Sequence, residues 1–178
     1  MTTSFVLQFD QRQIPRLADR YLDPREDRVV DEISPAVRER GYYTRSEFVE
    51  VCRWKTPRSK PLVARNSETD VVETTRQALS AESEEVRIGA LRALSGVDYP
   101  TASVLLHFGH QDRYPILDYR ALQALGIDRR TGYTFRFWTA YVDACRRIDD
   151  ETGFGMRTVD RALWQWSKEQ EGTSSSAR

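Results

Sequence analysis

Apolar residues recur three and four positions apart along most of the chain, the spacing that lines one face of an α-helix. Ile14, Leu17, Ala18, Tyr21 and Leu22 form the first such stripe. Thr44 followed by Glu47 reads as a capping box, opening a helix with Phe48, Val51 and Cys52 inward. Val72, Thr75, Ala78 and Leu79 give the next face. Ser83 is placed to cap a helix carrying Val86, Ala90, Ala93 and Leu94, which Gly96 ends. Pro100 suits a first helical turn, and Thr101, Val104, Leu105 and Phe108 then share a side. Leu117, Ala121, Ala124 and Leu125 follow, stopped by Gly126. Phe135, Trp138, Val142, Cys145 and Ile148 make a longer stripe, and Val159, Leu163 and Trp166 the last. The pattern predicts an all-α, bundle-like domain of about eight helices. Only "SFVLQF", residues 4–9, alternates, and a lone strand has no sheet to join. It is expected as an extended arm lying on the helices.

A chain of 178 residues is long enough for one domain with a real core. The expected division is a single helical domain over 1–168 and a disordered tail over 169–178, "EQEGTSSSAR". Residues 55–66, "KTPRSKPLVARN", are the longest irregular stretch. Formal net charge is zero, so a polyanionic partner would need a local basic face. Cys52 and Cys145 sit inside helical apolar patterns, as buried reduced thiols would, which fits the cytoplasm. The start, "MTTSFVLQFDQRQ", has no leader-like pattern, and no apolar run reaches membrane-spanning length. A soluble, cytoplasmic protein is expected, with no membrane partner. No cofactor motif is present. His107 and His110, three apart with Asp112 near, do not close a metal site.

Residues 94–126, "LSGVDYPTASVLLHFGHQDRYPILDYRALQALG", hold the main functional signal. A helix, a tight glycine turn and a second helix make a helix-hairpin-helix at 84–108. Such a turn exposes backbone N–H groups at a helix start, where they can hold a phosphate without reading a base. The plain alternative is a helix-to-helix connection. After a polar break, Asp118 opens another helix. As an N-cap it would accept N–H bonds from residues 120 and 121.

Leu94, Gly96, Val97, Thr101 and Ala102, then Pro115 and Asp118 after Ile116 and Leu117, resemble the helix-hairpin-helix DNA glycosylase superfamily. That group contains endonuclease III and adenine glycosylase. The resemblance implies a glycosylase-like all-helical fold and DNA as partner. It implies a phosphate-holding hairpin of Gly96, Val97 and Thr101, and monofunctional base excision with Asp118 as the catalytic carboxylate. A carboxylate near the sugar would stabilise the positive charge that develops as the N-glycosidic bond breaks. The everted base would need aromatic walls, for which Tyr99, Tyr114 and Tyr119 are the candidates. Two departures stand out. Asp98 replaces the hairpin's second glycine and would repel phosphate. Tyr99 and Pro100 lie where bifunctional members carry a lysine, which excludes lyase chemistry there. There is no four-cysteine iron–sulfur motif.

A second signal lies in residues 53–65, where Arg53, Lys55, Arg58, Lys60 and Arg65 occur with no acid between them. Lys55, Arg58 and Lys60 would grip a phosphate backbone while Trp54 stacks on a base. The plain reading is that these cations complement a helix C-terminus and Trp54 belongs to the core. Two other functions stay open beside base excision: a non-catalytic DNA-binding module, and a helical scaffold for an unknown protein partner.

Overall fold

Short polar side chains set where the helices begin. The structure, a computed structural model, describes residues 3–128 and 132–175, the side chains of residues 59, 60 and 172–175 excepted. Among the described residues every regular element is helical. The ten α-helices are α1 (Ile14–Asp19), α2 (Ser34–Arg40), α3 (Arg45–Lys55), α4 (Lys60–Val63), α5 (Glu68–Ser80), α6 (Glu84–Ala93), α7 (Tyr99–Gly109), α8 (Tyr119–Ala124), α9 (Phe135–Thr152) and α10 (Met156–Ser175). Thr44 and Ser67 form capping boxes at α3 and α5, and Ser83 and Thr134 cap α6 and α9. The extra helices relative to the eight stripes are α2, entered through a π turn at Val29–Ile33, and α4, four residues inside the stretch expected to be irregular.

The chain divides into two compact units, Asp23–Tyr114 (the middle unit) and Met1–Leu22 with Pro115–Arg178 (the terminal unit). In the middle unit α7 is the core. It is buried along almost its whole length, as befits a helix apolar on all sides. Its last carbonyls are satisfied from α2: Ser34 donates to the Phe108 carbonyl at 2.7 Å, and Arg38 to those of Phe108 and His107. Tyr43 donates to the Leu105 carbonyl at 2.7 Å, and burial pushes its phenol well above the ordinary range. Phe48, Val51 and Cys52 of α3 face inward as the pattern predicts. On α6 the buried face is instead Arg87, Ile88 and Leu91, with Leu94 just beyond, and Val86 is exposed. Ile88 and Leu91 remove more apolar area from water than Ala90 and Ala93 would. Arg87 tolerates burial because Glu84, the Tyr114 hydroxyl and the Ala81 carbonyl all accept its N–H groups.

In the terminal unit, residues 4–9 do form an extended arm. The N–H groups of Val6 and Gln8 donate to the Leu125 and Ala124 carbonyls at 2.9 Å, satisfying the C-terminal end of α8. Phe5 packs on Phe137 and Tyr141, and Phe9 stacks on Trp166. α10 packs on α1 and α8, burying Met156, Val159, Ala162 and Leu163. It continues to Ser175. Near its C-terminal end Glu169 accepts two bonds from Arg20, and Glu171 one from Arg120. Residues 176–178 lie outside the described residues.

Candidate nucleic-acid interface

One turn of α3 brings every third or fourth residue back to the same side. Phe48, Val51 and Cys52 point into the core, so Arg45, Ser46, Val49, Glu50, Arg53 and Trp54 share the opposite side. With Arg25, Arg28, Pro57 and Ala64 they line an open cleft of about 670 Å³ in the middle unit. Four arginines face one glutamate there. Arg25 is fixed by its paired bonds to Asp23, whose carboxyl that contact holds below the usual range. Arg28 reaches Glu50 at 2.6 Å and Glu32 at 3.2 Å. Arg45 donates to the Asn66 and Ala64 carbonyls, tying α3 to the end of the basic stretch. Arg53 is exposed and has no hydrogen-bond or ion-pair partner among the described residues. Trp54 is half-buried and meets Phe108 edge-on, with ring centres 5.5 Å apart. It packs against the core residue Phe108 and forms a wall of the cleft.

The structure therefore sorts the sequence candidates. Trp54 lines the cleft, whereas Lys55 and Arg58 do not. The side chain of Lys60 lies outside the described residues. Arg25, Arg28 and Arg45 are additions. Arg25 and Arg28 come from a turn far from α3 in sequence. Arg45 was legible only as one of the outward positions, 45, 49 and 53, opposite the apolar stripe.

The hairpin turn lies against the same region. Gly96 has φ +81°, and a Cβ added there would come within 2.9 Å of Leu62 and Val63. Its glycine is needed for both reasons. Asn66 clamps the turn, its Oδ1 accepting the Ser95 N–H at 2.8 Å and its Nδ2 donating to the Ser95 carbonyl. Val97 and Thr101 are buried. Asp98 makes no cap bond to α7 and instead pairs with Arg92 at 2.9 Å, which offsets part of its charge. The Arg92 guanidinium lies over the Tyr99 ring at 4.0 Å.

Tyr99 and Tyr114 are both closed off inside the middle unit. The Tyr114 hydroxyl donates to Glu84 at 2.7 Å and accepts from Arg87 at 2.9 Å. Tyr119 belongs to the terminal unit and is 40% exposed. Asp118, also in the terminal unit, is half-buried and caps α8, its carboxylate accepting the Ala121 N–H at 2.8 Å. His107 Nδ1 is 2.6 Å from the Tyr114 carbonyl, and His110 accepts the Asp112 N–H. Burial raises both cysteine thiols far above their ordinary range, so neither is a nucleophile at neutral pH. No described helix is long and apolar enough to cross a membrane.

No protein-family model, curated protein or solved structure matches this chain.

Proposed function

We propose that this protein binds DNA, gripping the phosphate backbone in the arginine-lined cleft of the middle unit. One observation carries the reading: Arg25, Arg28, Arg45 and Arg53 converge beside Trp54 in a chain whose net charge is zero. Guanidinium forks suit phosphate oxygens, and the local positive field comes from Arg45 and Arg53, since Arg25 and Arg28 are offset by Asp23, Glu32 and Glu50. The hairpin contributes by holding residues 62–66, and through them Arg45, in place. Fluorescence anisotropy of a labelled DNA at low and physiological salt tests this. Binding that weakens steeply with salt is expected, and no binding at low salt overturns it.

A second reading, monofunctional base excision, is favoured by Asp118. It is a helix-start carboxylate, half-buried rather than enclosed, followed by the exposed ring of Tyr119. A carboxylate at this position is the group needed opposite a developing sugar cation. Incubation with lesion-containing duplexes, scored for abasic sites, separates this enzyme from a binding module without chemistry.

A further inference from the structure

We infer that the cleft takes an unpaired strand in preference to a duplex, with phosphates on Arg25, Arg28 and Arg53 and a base against Trp54. This rests on the proposal that the cleft binds DNA, and names the form of DNA it holds. The shape is the first reason. A volume of about 670 Å³ is that of a small-molecule pocket, and the cations line a concavity. Proteins read a duplex by pushing a helix, ribbon or loop into its grooves. A concave wall of guanidinium groups is entered by a strand that can bend into it.

The second reason is the mixture of surfaces. Trp54, Val49 and Pro57 give the cleft an apolar wall among the arginines. In a duplex the base faces are covered by their neighbours, whereas an unpaired base can lay its face on an indole. That stacking is indifferent to sequence, because every base has a π-face. The lining also holds no asparagine or glutamine, the side chains that read adenine bidentately. The preference expected is for strandedness, with weak dependence on sequence.

The test titrates the full chain with oligothymidylate and with a blunt duplex of equal length, following anisotropy and tryptophan emission. Trp54→Phe keeps a ring against Phe108 and identifies the Trp54 share of the emission from the four tryptophans. The single strand should bind about tenfold tighter and quench emission, and the quench should be lost in Trp54→Phe. Trp54→Ala should weaken single-strand binding by about fivefold or more. Arg53→Gln, a change at an exposed position, gives a second variant that leaves the core untouched. It should weaken binding to the single strand. Equal or tighter duplex binding, or a quench that persists in Trp54→Phe, overturns the inference while leaving DNA binding standing. No binding of either DNA overturns both.

Discussion

Asp118 is a residue whose two roles can be separated by a single atom. As a cap it needs an acceptor oxygen, which asparagine also has, and as a catalyst it needs its charge. Asp118→Asn should therefore melt close to the parent, while Asp118→Ala loses about 1 kcal/mol with the Ala121 bond. If base release is found, Asp118→Asn should abolish it in a single-turnover assay. Equal rates in the two proteins would remove Asp118 from the chemistry. Gly96 is a sharper structural case. Gly96→Ala faces both a left-handed φ and neighbouring atoms at 2.9 Å, so it should cost about 2 kcal/mol or more in denaturant melts. Glu50 works in the opposite sense. It holds Arg28 in the cleft and carries the wrong charge for phosphate, so Glu50→Gln should raise DNA affinity at low salt and have less effect at high salt.

At the scale of elements, α3 replaces the basic stretch after it as the centre of the proposed interface. Lys55, Arg58 and Lys60 stand out in a linear reading because no acid separates them. Arg25, Arg28 and Arg45 do not, because each has an acid within three residues in sequence and reaches the cleft only through the fold. The apolar period fixed which side of α3 faces inward, and so which residues face out. What the linear pattern could not give was the partner turn carrying Arg25 and Arg28. On α6 the period was legible but its phase was not, because Val86 competes with Ile88 for the core and a buried Arg87 has no signature in sequence. On α10, Glu169 and Glu171 find arginines on either side, Arg20 just after α1 and Arg120 on α8. The Arg20 pairing holds the Glu169 carboxyl below its ordinary value, so this contribution is present above that value and is lost as pH falls. A chain ending at Lys168 should melt at lower temperature than the parent at neutral pH, with the difference narrowing in acid.

For the whole molecule, circular dichroism should give a helix-dominated spectrum, and a strand-dominated one would contradict the fold. The hairpin and Asp118, adjacent in the sequence signal, belong to different compact units. The middle unit carries the arginines proposed to hold phosphate, and the terminal unit carries the candidate carboxylate. Binding and chemistry are thus separable by mutation: changes in the cleft should alter affinity, and changes at Asp118 should not. The most direct measurement is the salt dependence of DNA affinity, compared between the parent, Arg25→Gln/Arg28→Gln/Arg53→Gln, and Lys55→Gln/Arg58→Gln. Removing one phosphate-binding cation should lower the log–log slope by about 0.9 on a duplex or about 0.7 on a single strand. The cleft variant should show a slope reduced by two to three such steps, and the Lys55/Arg58 variant one close to the parent. An unchanged slope in the cleft variant, or a larger drop in the Lys55/Arg58 variant, would contradict the placement of DNA in the cleft.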